Sequence, residues 1–212
     1  MSAVQPPLEL RTRQVGPWGM NTYALVCPTT GDSVLIDPGD DPDALQEMLG
    51  ESQPVAILLT HDHIDHIGAL DEMRTRLGVP LLAHPGPTVN DERVAADRWL
   101  EEGDQVTVGA HTLRVAYAPG HIGNQICFIL ENDQRVIVGD TIFAGGPGTT
   151  WSAAGFAQTL QTLRRVVLAW DDDVVCYPGH GPSFRLGDLR PRVEKFVAQD
   201  HGDFFGDASW EM

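Results

Sequence analysis

Four times along this chain a short apolar run ends in a sharp turn and then delivers a histidine or an aspartate. The runs are Ile57-Leu-Leu-Thr60 before His61, Val115-Ala-Tyr-Ala-Pro-Gly120 before His121, Val136-Ile-Val-Gly139 before Asp140, and Val174-Val-Cys-Tyr-Pro-Gly179 before His180. Strands that end at one edge of a sandwich deliver their next residues to one place, and glycine and proline permit the tight turns this needs. The segments lie roughly 20 to 60 residues apart, so only the fold could unite them. Loops held by a rigid scaffold are where sites are usually built.

The remaining pattern agrees with such a fold. Leu8–Val15, Thr22–Cys27 and Ser33–Asp37 read as strands, short and apolar or β-branched between turn residues. So do Val55–Leu59, Leu81–Ala83, Gln105–Val108, Thr112–Tyr117, Gln125–Leu130, Arg135–Val138 and Asp173–Cys176. Helical spacing marks Asp43–Leu49, Ile67–Leu77, Asn90–Leu100, Phe156–Trp170 and Leu189–Gln199. Neighbouring strands recur without a linker or a composition break. One α/β (α+β) domain over 1–212 is expected, with antiparallel or mixed sheets and helices outside. The tail, 201–212, carries Phe204, Phe205 and Trp210 among glycines and aspartates; it is expected to fray, with docking onto the body or a second subunit as the alternative.

Charge narrows the partners. Fourteen basic against thirty acidic residues give a net charge of −16, which opposes nucleic acid and anionic membrane surfaces. No run reaches the roughly 18 apolar residues of a membrane helix. The N-terminus has neither a basic start nor an apolar run, so no signal peptide is expected and a cytoplasmic location follows as the default. A small-molecule substrate remains, and the oligomeric state stays open. Cys27, Cys127 and Cys176 each sit in an apolar strand context without a CxxC pair, and are expected to be buried thiols.

The chemistry concentrates in Thr60-His61-Asp62-His63-Ile64-Asp65-His66. In an extended segment His61 and His63 point the same way and could grip one metal ion. Asp65 and His66 lie at the turn into a helix, face elsewhere, and could grip a second. A catalytic zinc has three protein ligands and an open water position. Seven ligands therefore fit two ions if one carboxylate bridges. An aspartate can do so with its two oxygens, which makes Asp140 the natural bridge. His84 and His111 lack such company and read as structural, and His201 as solvated. Asp37 and Asp62 are candidates for orienting the ligands.

These residues resemble a known family. THDHIDHIG matches the HxHxDH signature of the metallo-β-lactamase superfamily, and APGH at 118–121, VGDTIF at 138–143 and YPGHGP at 177–182 resemble its other motifs in their usual order. The resemblance spans roughly 8–185 and implies a four-layer αβ/βα sandwich of two mixed β-sheets with the metals at one edge. It implies His61, His63 and His121 on one ion, Asp65, His66 and His180 on the other, and Asp140 across both. It also implies two divalent ions, zinc first, with iron or manganese possible. A metal-bridging hydroxide would be the nucleophile, with Asp65 as the catalytic residue orienting it and taking up a proton.

Asp140 and the full HxHxDH are similar to glyoxalase II, a hydroxyacylglutathione hydrolase that cleaves a thioester, and to lactonases and phosphodiesterases of the superfamily. A glyoxalase II usually carries a basic C-terminal extension that grips glutathione; this chain ends soon after His180, and its one lysine is Lys195. Phe143, Trp151 and Trp18 are candidates to line a substrate pocket. An arginine often found in this family near the position of Thr149 is missing. Two readings from other classes remain. Persulfide dioxygenases share the fold and bind one iron through residues matching His61, His121 and Asp140, but they usually carry Gly-Cys-Gly-Arg where this chain has Gly-Gly-Pro-Gly-Thr. A non-catalytic binding protein would have lost ligands, and all seven are present.

Overall fold

The computed structural model of the protein describes residues 6–88 and 94–212. Two six-stranded sheets face each other. The first runs in simple order through β1 (Glu9–Val15), β2 (Met20–Val26), β3 (Asp32–Ile36), β4 (Gln53–Leu58), β5 (Leu81–Ala83) and β6 (Arg98–Trp99). Its first three strands are antiparallel and the rest parallel. The second holds β7 (Gln105–Val108), β8 (His111–Tyr117), β9 (Ile126–Leu130), β10 (Arg135–Gly139), β11 (Val175–Pro178) and β12 (Phe184–Arg185). It is antiparallel except between β10 and β11.

Side-chain alternation assigns the layers, since successive residues of a strand face opposite sides. Val34 and Ile36 of β3, Leu58 of β4, Val115 of β8 and Phe128 of β9 meet between the sheets. Leu35 and Ile57, one step out of phase, face outward beneath α1 (Pro42–Leu49) and α3 (Leu70–Leu77), against Leu45, Leu49 and Met73. Val136 and Val138 face outward on the other side, beneath α4 (Ala153–Arg165) and α5 (Leu186–Ala198) with Phe156 and Phe196. Strands buried on both faces read as nearly unbroken apolar runs. The four-layer sandwich expected from the sequence is the observed fold, and the three cysteines are free and buried.

Several boundaries move, each for a local reason. The helix expected over 67–77 starts only at Leu70, as α3, and a separate short helix, α2 (Ile64–Ile67), precedes it. Between them Ala69 N donates to Pro38 O at 3.0 Å, and a side chain at Gly68 would meet Gly39 O at 2.2 Å. This close approach presses the metal-motif helix onto the turn after β3. The helix expected near Asn90–Leu100 is corrected where it is described. Residues 94–100 are not helical and lead through a tight turn into β6, where Asp97 N and Leu100 N bond to Leu81 O and Ala83 O along β5. The first residues of that expectation lie outside the described ones. α4 begins earlier than Phe156 because Ser152 caps it, accepting from Gly155 N at 3.0 Å; it ends at Arg165, followed by a 3₁₀ turn at Val167–Ala169.

The tail does not fray. Phe204 packs edge-on against Phe156 at 4.9 Å, and Trp210, 3% exposed, against Phe196 at 5.2 Å. Phe205 stays exposed. His201 is not free in solvent either, since Nε2–H donates to Phe196 O at 2.8 Å. These two buried rings, with the bonds from Trp210 to Phe143 O and Gly145 O, anchor the tail to the body.

Candidate metal centre

The ends of β4, β8, β10 and β11 meet at one edge of the sandwich, as their shared sequence pattern anticipated. His61 follows β4, His63 is the N-cap of α2, and Asp65 and His66 lie in its first turn. The loops after β8, β10 and β11 supply His121, Asp140 and His180. Asn21 ties the last of these loops to the first sheet. Its main chain donates to Gly179 O at 2.7 Å, and its side chain to Pro178 O at 3.0 Å and Gly181 O at 2.8 Å.

Nitrogen and oxygen atoms of the seven residues converge in three overlapping groups: His61, His63 and His121; His61, His66 and Asp140; and Asp65, His66 and His180. His121 Nε2 and His63 Nδ1 are 2.9 Å apart. Asp140 stands between the groups. Its Oδ2 is 3.6 Å from His121 Nε2 and 3.7 Å from His180 Nε2, and its Oδ1 is 3.5 Å from His66 Nε2. Gly179 makes room for this, because a Cβ there would fall 2.2 Å from Asp140 Oδ1 and 2.6 Å from His66 Cε1.

The outer bonds fix which ring nitrogens face inward. His121 Nδ1–H donates to Thr149 O at 2.8 Å. His66 Nδ1–H donates to Asp37 Oδ2 at 3.0 Å. The Thr60 hydroxyl donates to Asp37 Oδ2 at 2.6 Å, which leaves it to accept from His61 Nδ1–H at 3.1 Å. Thr60 N also donates to Asp37 Oδ1 at 2.7 Å. Each Nδ1 so engaged leaves Nε2 as the inward atom, the arrangement that orients histidine ligands to metals. Asp37 thus joins two motifs, whereas Asp62 turns toward Asn124 and burial pushes its carboxyl up.

Three atoms at this point, His61 Nε2, His66 Nε2 and Asp140 Oδ1, are buried and have no hydrogen-bond partner. Buried polar atoms almost always have one. A cation would satisfy all three at once, and a set of five imidazoles and two carboxylates suits zinc or iron. The residues fit the metals that the motifs imply.

Burial and the neighbouring histidines hold His61 well below the usual imidazole range. Burial, with His121 beside it, lowers His63 to about 4, and burial lowers His121. For His66 burial acts the other way from its carboxylates, and Asp140 and Asp37 prevail, raising it to about 10. Its bond to Asp65 raises His180. Burial would raise Asp65, but His180, 3.0 Å away, outweighs it and brings the carboxyl to about 2. The cluster is thus half arranged to receive cations and half held together by protons that cations would displace.

Above it opens a cleft of about 880 Å³. Trp18, Phe143 and Trp151 line it, together with Ile64, which the sequence had not singled out. Thr60, Asn21 and the Thr149 carbonyl were also missed. The polar Thr60 and Asn21 inside apolar strand contexts were readable signals; a main-chain carbonyl leaves none. His84 stacks on Tyr117 at 4.3 Å. The wall from Phe143 to Trp151 is braced by the tail. Trp210 donates through Nε1 to Phe143 O at 3.2 Å and through its main chain to Gly145 O at 3.1 Å, and Thr149 Oγ1 bonds Asp207.

Residues 15–180 match the Lactamase_B family, the metallo-beta-lactamase superfamily. The chain belongs to that superfamily. It is 29% identical over 195 residues to the probable metallo-hydrolase YqgX of Bacillus subtilis, covering 83% of this chain and 92% of that one. A hydroxyacylglutathione hydrolase of Bdellovibrio bacteriovorus is 33% identical over 146 residues, covering 68% of this chain and 57% of its own length. Among solved structures, ETHE1 from Myxococcus xanthus superposes with a TM-score of 0.78 at 25% identity, covering 91% and 86% of the two chains. TTHA1623, in a di-iron-bound form, superposes with a TM-score of 0.71 at 28% identity, covering 84% and 96%. At the level these superfamily relatives share, the chain is a metal-dependent hydrolase.

Proposed function

We propose that the chain is a binuclear hydrolase acting on a thioester, in the manner of a hydroxyacylglutathione hydrolase, or on a related ester or lactone. The observation that carries this reading is the position of Asp140, whose carboxylate lies 3.5 to 3.7 Å from His66, His121 and His180 and so faces both halves of the cluster. His61, His63 and His121 would hold one ion, Asp65, His66 and His180 the other, and Asp140 both. The relative solved in a di-iron-bound form supports two ions; zinc is our first choice for this donor set. Such ions lower the pKa of bound water from about 15.7 to about 7 and polarise a carbonyl.

The chain's own groups do the rest. Asp65 lines the cleft and reaches His180, so one carboxylate can orient a water at the floor. His121, fixed by the Thr149 carbonyl, and His66, fixed by Asp37, hold the floor rigid. Trp18, Phe143 and Trp151 wall the cleft and offer an apolar surface beside that floor. The dioxygenase alternative uses the same His61, His121 and Asp140 but leaves the Asp65, His66 and His180 group without a purpose.

The test is a panel of thioesters, lactones and phosphodiesters run with the metal-loaded protein and with Asp140→Ala. Thioester or ester turnover that Asp140→Ala removes by about a thousandfold or more supports the reading. Full turnover by that variant, or oxygen consumption with a persulfide by a one-iron protein, overturns it.

A further inference from the structure

The walls of the cleft differ in kind from its floor. The floor carries His63, Asp65, His121, Asp140 and His180, whereas the walls are Trp18, Ile64, Phe143, Trp151 and Pro182. Three of these are large apolar side chains left open to solvent: Trp18 is 65%, Ile64 70% and Trp151 61% exposed. Apolar side chains lining a cleft over a few convergent polar groups mark a binding site for a small molecule. The walls flank the centre on both sides. Trp151 stands 5.2 Å from the His63 ring and 5.1 Å from the His121 ring, while Phe143 is 6.3 Å from His180. Trp18 and Ile64 also line a smaller hollow of about 220 Å³ that continues from the cleft past Gly16, Met20 and Gly39.

No lysine or arginine lines the cleft among the described residues. Several arginines among the described residues are engaged elsewhere: Arg76 with Asp43 and Glu72, Arg135 with Asp133, Arg74 with Asp97, Arg165 with Glu102. A net charge of −16 adds a long-range repulsion. A substrate carboxylate or phosphate held against these walls, away from the floor, would lose water and meet no basic side chain among the described residues.

We propose that the cleft selects an uncharged thioester or ester whose groups on both sides of the scissile carbonyl are apolar, Trp151 receiving one and Phe143 with Trp18 the other. This rests on the hydrolase reading and narrows it: the leaving group is a neutral thiol or alcohol rather than an anionic carrier such as glutathione. The volume of about 880 Å³ lies in the range of pockets that enclose a drug-sized molecule.

The experiment holds the acyl group constant and changes the charge. Hexanoyl thioesters of N-acetylcysteamine, glutathione and coenzyme A are offered to the metal-loaded protein. In parallel the thioethers S-hexyl-N-acetylcysteamine and S-hexylglutathione, which cannot be hydrolysed, are titrated against tryptophan fluorescence. The neutral compounds should be favoured by about tenfold or more in both kcat/KM and Kd. Added salt should narrow that gap by screening the repulsion of the anionic ones. Trp151→Ala should raise KM for the hexanoyl ester by about tenfold and for the acetyl ester by less than about threefold. Ile64→Arg, at an exposed position, should shift preference toward the glutathione compounds. Equal or better binding of S-hexylglutathione by the unaltered protein overturns the inference. So does a Trp151→Ala variant with unchanged discrimination by chain length. Selective binding of the neutral thioether with no turnover of any ester would leave the inference standing and overturn the hydrolase reading instead.

Discussion

Asp37 offers the sharpest single-residue test of how the centre is held. Its side chain is buried and accepts three bonds, from Thr60 N, Thr60 Oγ1 and His66 Nδ1, at 2.7, 2.6 and 3.0 Å. Its backbone is left-handed, with φ +54°. Asparagine tolerates that conformation far better than alanine, so Asp37→Asn changes the chemistry and keeps the shape. If the amide oxygen stays on Thr60 N, the NH₂ group faces the Thr60 hydroxyl and His66 Nδ1–H. The hydroxyl can rotate to accept. The imidazole can accept only by moving its proton to Nε2, the atom aimed at the cluster. If the amide flips, Thr60 N–H loses its partner instead. One buried donor is unmatched either way, at about 1–3 kcal/mol. Loss of such an orienting group costs about 10–100-fold in metal affinity, which is about 1.4–2.7 kcal/mol and agrees with that figure. Urea unfolding of the metal-free protein and zinc titration against a competing chelator measure the two effects. An affinity for the second ion within about threefold of the parent would refute the orienting role of Asp37.

Gly179→Ala should lose metal and activity while the fold survives, because its Cβ would fall 2.2 Å from Asp140 Oδ1; an unchanged metal content contradicts this. Trp210→Ala should lower stability by about 3–5 kcal/mol in urea unfolding, as for other buried aromatic truncations, and Trp210→Phe by about 1 kcal/mol, the worth of its bond to Phe143 O. A midpoint unmoved by Trp210→Ala would mean that the tail frays. His66 in the metal-free chain is raised from 6.5 to about 10, so its proton stabilises that form fully below pH 6.5 and ceases to do so as pH rises through about 10. Zinc binding at pH 7–8 should therefore release a proton from His66, seen by calorimetry in buffers of different ionisation enthalpy; heat independent of the buffer contradicts this.

The legible parts of the fold were those with local grammar. The runs at Val34, Ile57 and Val136 alternate between two cores, so each had to be a strand covered on both faces. The metal motif was legible because His61, Asp65 and His66 have no packing reason to be adjacent. What was not legible depends on non-local contact. Val94–Leu100 carries apolar residues that fit a helix, but β5 offered an open edge and took the segment as β6. Helical spacing through Gly68 could not reveal that Gly39 would press against it. The tail looked loose because its glycines and aspartates are polar, while the seats for Phe204 and Trp210 are built by α4 and α5. The Thr149 carbonyl that fixes His121 belongs to the main chain and has no letter in the sequence.

The central claim is that seven side chains form one site for two ions. Metal quantification on the purified, zinc-loaded protein, beside Asp140→Ala, tests it most directly. Close to two ions per chain are expected, falling well below that in Asp140→Ala. One iron per chain, unaffected by removing Asp65 or His180, would contradict it.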